Sequence, residues 1–472
     1  MQQRKTLTLR LSAAVLAGGL LFTGMGPAAA ATVAQATQAS TAQQRTQAYD
    51  TLKKLADAGT VGEAKDIASS DAPGAVPGLE RAAASLDGLA DSAPLVAAET
   101  HGLDTVVDVR DLVIKAALHA VDPQRAAEDP EAACAETDLD RFSKTLLPSI
   151  QPGATPEEMQ QALQEIFAIV FLSGLGGLDA PAYEALFEGP TKRLSVFGEE
   201  QNKTKAITQD FKDVKKFWAG DVDPGKITLG AMKDDIVTNK GKLQVRKYGA
   251  YALASQDAEG VFDPRKALES TNPEVIEKLD SWGKALHGLI DLAPILDDGE
   301  SPLFTTNAYA YSPTPGAEAE AGLPKRLVFG DGMLQFLRFA KYNETAITSI
   351  IGHEFGHHIQ YVNGFDQPEG TTPEKTRHSE LEADAYGNYF VAHKKGGNFK
   401  AADKALSVKL AFNIGDCDAT ADGHHGTPVQ RQASALWAQG LAESQKKNGH
   451  VFSAESIRIK FNKALPELLA AK

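Results

Sequence analysis

Apolar and polar positions alternate with a helical period over most of the chain, with only a few strand-like runs between. From about Tyr49 to Ile295 the pattern is mostly helical. Gly and Pro punctuate it at Asp71-Ala72-Pro73-Gly74, Asp122-Pro123, Gln151-Pro152-Gly153 and Asp223-Pro224-Gly225. Thr155-Pro156-Glu157-Glu158 predicts a helix start. Thr155 caps, Pro156 suits the first helical position, and Glu158 completes a capping box. That helix runs into the apolar stretch 166–172, which is too short to span a membrane and reads as buried core. Near residue 303 the pattern changes. Residues 304–311 are aromatic-rich, 325–330 read as a strand around Leu327-Val328-Phe329, and a Pro/Gly/Ala/Glu loop separates them. Helical pattern returns at about Glu344 and persists to the end. The expected fold class is mainly α with a small β component, α+β: a helical region over 49–295, then an α+β domain over 296–472.

Both ends of the first fifty residues depart from this pattern. Arg4, Lys5 and Arg10 precede an apolar run from Leu11 to Phe22, and Ala28-Ala29-Ala30 offers a small-residue cleavage site. Residues 1–30 therefore read as a secretory signal peptide, so the expected location is extracellular and the mature form carries no transmembrane anchor. Residues 31–48, rich in Ala, Thr and Gln without periodicity, read as a flexible tail. The net charge of −14 becomes −17 once the three cations of residues 1–30 are removed. Such an acidic chain argues against a nucleic-acid partner. Two cysteines in 472 residues cannot build a disulfide framework or a thiolate metal site. In an exported protein, Cys134 and Cys417 are expected to pair with each other.

The chemistry concentrates at His353-Glu354-Phe355-Gly356-His357, an H-E-x-x-H motif. Histidines four apart stand on one helix face and can ligate a single zinc ion, with the intervening Glu354 placed as general base. Ile347, Ile351, Phe355, Ile359 and Val362 form an apolar stripe at helical spacing, and the two histidines fall on roughly the opposite side. Chance would produce such a motif roughly once or twice in a hundred chains with this histidine content, so a third ligand matters. The metzincin extension fails, because Gln360 and Asn363 stand where Gly and His are required. Downstream, Glu380 and Asp384 are four apart on one helix face, which Ala383 and Gly387 share. Small residues there let this helix approach the motif helix closely. Glu380 is the expected third zinc ligand. Asp384 is expected to accept a hydrogen bond from a ligand histidine, although it could itself ligate, while Glu382 points away.

H-E-x-x-H followed by E-x-x-x-D resembles the gluzincin metallopeptidases. The stretch 351–360, the run Glu380-Leu381-Glu382-Ala383-Asp384, the step Ile414-Gly415-Asp416 and the block His425-Gly426-Thr427-Pro428-Val429-Gln430-Arg431 are similar to the neutral zinc metallopeptidase family. The resemblance covers about residues 300–445. It implies a zincin-like domain holding one Zn²⁺ per chain on His353, His357 and Glu380, with Glu354 as catalytic base and a protein or peptide as substrate. His425 is the favoured donor to the developing oxyanion, with Tyr386 and Tyr389 as alternatives. His358 is expected beside the site, His378 at the solvent, and His101, His119 and His287 in structural roles. Strand 325–330 could pair with an extended substrate or be a plain sheet strand. Two other readings remain: a secreted binding or scaffold protein with a structural zinc site, and a helical region that acts as a pro-segment over the cleft.

Overall fold

Among the described residues four strands form one mixed sheet: β1 (Leu103–Thr105), β2 (Ile227–Met232), β3 (Ala308–Tyr311) and β4 (Lys325–Gly330), in the order β1-β3-β4-β2. β3 is antiparallel to both β1 and β4, with Thr105 opposite Tyr309 and Tyr309 opposite Val328. β4 runs parallel to β2, with Leu229 opposite Leu327. In this computed structural model the described residues are 27–471, except 71–75, 77, 96–102, 129–135, 188–192, 199–200, 224–225, 235–237, 239–242, 256–262, 314–322, 366–369, 418, 420–422 and 446–448.

Strand alternation sorts the side chains into two cores. Tyr309, Tyr311 and Val328 pack with helices Val109–Val121, Pro156–Gly174 and Pro273–Asp291. Ala308, Leu327 and Phe329, on the other face, pack with helices Glu344–Asn363 and Thr372–Ala392. The sheet is thus covered on both sides, which is why β4 reads as a continuous apolar run rather than an alternating one. The fold is mainly α with a small β component, as expected.

Several local expectations hold. The Thr155 capping box starts helix Pro156–Gly174, and residues 166–172 are all buried. The strand at 325–330 forms over those residues. Among the described residues, no helix is long and apolar enough to cross a membrane.

Other expectations are corrected. The stretch 49–295 is not helical throughout, because it contributes β1 and β2 to the sheet it shares with β3 and β4. Residues 31–48, expected as an aperiodic tail, lie within helix Pro27–Asp57. Ala and Gln favour a helix without making an apolar stripe, so propensity rather than period carried that signal. Ala48, Tyr49, Leu52 and Leu55 then anchor the end of this helix in the core. β4 has a partner on each side, so it offers no free edge to a substrate. Residues 1–26 of the expected leader, Cys134 and His101 lie outside the described residues. No described cysteine is a free thiol.

Candidate metal centre

The motif sits in helix Glu344–Asn363, which Asn343 caps through its side chain at the Thr345 amide. Gly364, at φ 57°, ends it in the left-handed conformation that glycine tolerates. The helix is buried on every side from Ala346 to Gln360. Helix Thr372–Ala392 packs against it at glycine contacts. A Cβ on Gly356 would lie 2.9 Å from Ala383 Cα, and one on Gly387 would lie 2.7 Å from His353 N. This close approach, expected from Ala383 and Gly387, carries Glu380 to the two histidines.

His353 Nε2 and His357 Nε2 are 3.1 Å apart. Glu380 Oε2 is 3.2 Å from His353 Nε2, and its Oε1 is 3.3 Å from His357 Nε2. Among the described residues this trio is the group arranged to hold a metal ion. The outer nitrogens are both engaged: His353 Nδ1 with Asp384 Oδ1 at 2.9 Å, and His357 Nδ1 with Gln360 Oε1 at 3.0 Å. Each of those oxygens is an acceptor, since Asp384 is a carboxylate and Gln360 Oε1 also takes the Ser379 hydroxyl at 3.0 Å. Both Nδ1 atoms therefore carry protons, and in the neutral rings both Nε2 atoms present lone pairs to each other and to a carboxylate. Such a set repels itself unless a cation or proton lies between. A tetrahedral zinc ion with ligand bonds of about 2.0–2.1 Å has ligand–ligand edges of about 3.3 Å, and the trio fits it.

Charge around the trio is balanced in layers. Arg431, fully buried, grips Asp384 with Nε and Nη2 at 2.8 and 2.9 Å and donates Nη1 to Ile414 O at 3.0 Å. Burial opposes ionisation of Asp384, but Arg431 and His353 outweigh it and hold the carboxyl below its usual range. For Glu380, burial is likewise outweighed by His357, His425 and His353, and its carboxyl lies well below the usual range. Glu354 is completely buried, beside His353 in sequence and outside the ligand trio.

The block His425 to Arg431 has a structural reading. Gly426 turns the chain at φ 95°, Thr427 and Gln430 make a capping box, and Pro428 begins helix Pro428–Ser444, whose first turns aim Arg431 at Asp384. Asp416 Oδ2 accepts from the His425 amide at 2.6 Å and lies 3.3 Å from His425 Nδ1. His425 Nε2 donates to Thr105 O at 2.8 Å. Burial would lower the His425 pKa, but Glu380 and Asp416 outweigh it and raise it to about 9. Tyr386 and Tyr389 turn elsewhere, Tyr386 Oη to Glu382 and Ala454 O, and Tyr389 Oη to the Phe452 amide. His358 packs beside the motif and bonds Arg326 O at 3.0 Å. His378, expected at the solvent, is buried against Asn462 and Phe461 because its helix is covered on that side. His287 pairs with Asp291 near the surface.

The roles of Gln360, Arg431, Asp416 and Thr105 emerge only from the structure. Gln360, which breaks the metzincin pattern and ends the family-like stretch 351–360, orients His357 and ties it to Ser379 O and Glu382 Oε2, each at 2.9 Å. Its signal was a polar residue three positions after a candidate ligand, on the same helix face. On the expectation that the trio holds zinc, replacing Gln360 by Leu should weaken its affinity about 10–100-fold in a competitive chelator titration.

Glu382 makes a further test. Burial raises its carboxyl to about 7, although Gln360 and Tyr386 favour the charged form. The folded protein thus keeps this proton to higher pH than the unfolded chain. The group's stabilising contribution is complete below the unfolded value and is lost as pH rises through 7. Glu382→Gln should therefore be more stable than wild type at pH 8, by about 2–3 kcal/mol at most, with the advantage vanishing near pH 4 in urea titrations. The new amide nitrogen can donate to Tyr386 Oη, whose own proton goes to Ala454 O at 3.2 Å.

No protein-family model, curated protein or solved structure matches this chain.

Proposed function

We propose that this protein is a secreted zinc metallopeptidase that hydrolyses peptide bonds in a protein or peptide substrate, with one zinc ion on His353, His357 and Glu380. The observation that carries the reading is the buried trio itself: two Nε2 atoms 3.1 Å apart, each within 3.3 Å of the Glu380 carboxylate, with each ring held at Nδ1 by an oxygen. Export and a Cys134–Cys417 bond belong to the same proposal, as does the resemblance to the neutral zinc metallopeptidases.

A bound zinc ion would supply a Lewis acid that polarises the scissile carbonyl and lowers the pKa of a coordinated water. Glu354 takes the proton of the attacking water on a carboxylate oxygen and passes it to the leaving amine nitrogen. His425 donates its Nε2 proton to the carbonyl oxygen as that atom gains charge. Asp384 and Gln360 hold the Nδ1 protons of the ligand histidines, so that Nε2 stays free for the metal. The direct test is metal analysis of the purified full chain together with a peptide-library digest, with and without chelator. One zinc per chain and chelator-sensitive cleavage are expected. A zinc-free protein, or cleavage indifferent to the chelator, would sink the reading.

A further inference from the structure

The sheet edge nearest the metal centre is not free. β3 would be that edge if the chain began after residue 295, but β1 pairs with it from more than 200 residues away in sequence. The motif helix packs against both β1 and β3. Val106 N donates to Ala308 O at 2.9 Å, so Val106 and Ala308 form a hydrogen-bonded pair. Antiparallel pairing alternates, so Asp104 and Ala310 form the next such pair, and the backbone of Thr105 between them points away from β3. That outward carbonyl is the one His425 Nε2 holds at 2.8 Å. β1 thus lies between β3 and His425. It occupies a strand position on β3, and its carbonyl takes up the proton that peptide hydrolysis would need.

We infer that β1 is an internal occupant of the substrate rail: an extended peptide substrate adds to the outer edge of β3 in place of Leu103–Thr105, and the chain described here is latent until that strand leaves. The inference rests on the peptidase reading for the role of His425. Its physical basis is that an extended peptide joins a sheet through backbone bonds that any sequence can make, so a resident strand and a substrate compete for the same groups. β1 suits exchange because it is only three residues long. It is anchored on its C-terminal side, where Val106 is fully buried and the Asn307 side chain bonds both the amide and the carbonyl of Val107, at 3.1 and 2.9 Å. Those anchors let β1 peel back without releasing the helix that follows. The same anchors keep it close enough to return.

The test uses the zinc-loaded full chain and a blocked tripeptide hydroxamate, which combines a zinc-binding head with a short extended backbone. Amide hydrogen exchange is followed by mass spectrometry. Binding of the probe should raise exchange at the Asp104 amide at least tenfold while the anchors Val106 and Val107, and residues 308–311, stay protected. Asp104→Pro, which removes the amide of the Asp104–Ala310 pair, should bind the probe at least tenfold more tightly and cleave peptides at least tenfold faster than wild type. The exchange measurement on wild type decides the question if the variant folds poorly. Continued protection of the Asp104 amide in the probe complex overturns the inference, and so does a probe that binds neither form. If wild type and variant cleave equally fast, latency fails and the peptidase reading stands. If the probe displaces β1 and neither form cleaves anything, strand exchange stands and the peptidase reading fails.

Discussion

Glu354→Gln should retain one zinc per chain and lose about three to four orders of magnitude in kcat/KM. The substitution keeps the shape of a completely buried side chain and leaves the ligand trio of His353, His357 and Glu380 intact. Metal content and fold should therefore hold. An amide cannot take a proton from water at neutral pH, and a positioned general base contributes about 10²–10⁴-fold. Here the same group also returns the proton to the leaving amine, which places the expected loss toward the upper end. Initial rates on a peptide identified in the library digest, with zinc measured on the same preparation, read both quantities. A secreted scaffold with a structural zinc site makes the opposite forecast. Zinc removal would unfold it, and Glu354→Gln would change nothing measurable, because a structural site has no use for a base. Undiminished cleavage by Glu354→Gln would remove the base from the mechanism, whatever the zinc content.

The parts of this protein that could be read from its sequence are those set by neighbours in the chain. The spacing of His353 and His357 fixes them on one face of one helix, and Glu380 with Asp384 obeys the same geometry on the next. The capping box at Thr155 and the strand at 325–330 are equally local. What escaped depends on distant partners. β1 and β2 are short runs inside a helical pattern, and they are strands because β3 and β4 supply their hydrogen bonds. Burial of β4 on both faces and both edges followed from those same partners, so its supposed role as a substrate rail could not be judged from its own residues. Thr105 meets His425 across 320 positions of sequence, and nothing near either residue foretells it. The helix over 31–48 is hidden for a different reason: it rests on the propensity of Ala and Gln, which leaves no apolar period.

Arg431→Met should cost about 3–5 kcal/mol of folding stability, because it strands a buried carboxylate. Asp384 is 2% exposed, and the guanidinium is its partner at two oxygens, while His353 Nδ1 shares Oδ1. Lysine at 431 should not restore the loss, since an ammonium cannot bridge both oxygens and also reach Ile414 O. The double variant Arg431→Met/Asp384→Asn should recover much of the deficit, because the neutral amide no longer needs a counter-charge and its oxygen still accepts the His353 Nδ1 proton. The two changes are therefore expected to be strongly non-additive in urea unfolding. The pH dependence gives a second signature. In wild type, Arg431 and His353 outweigh burial and hold the Asp384 carboxyl low. Without Arg431, burial raises it, so the folded variant takes up a proton that the unfolded chain releases, and its deficit shrinks as pH falls from 8 toward 5. Zinc affinity should follow the same course. A protonated Asp384 holds His353 less firmly than a carboxylate does, so on the proposed zinc site Arg431→Met should weaken metal binding without itself being a ligand. If the single and double variants unfold at the same urea concentration, Arg431 acts by packing alone, and the layered charge balance around the metal centre is not what keeps Asp384 ionised.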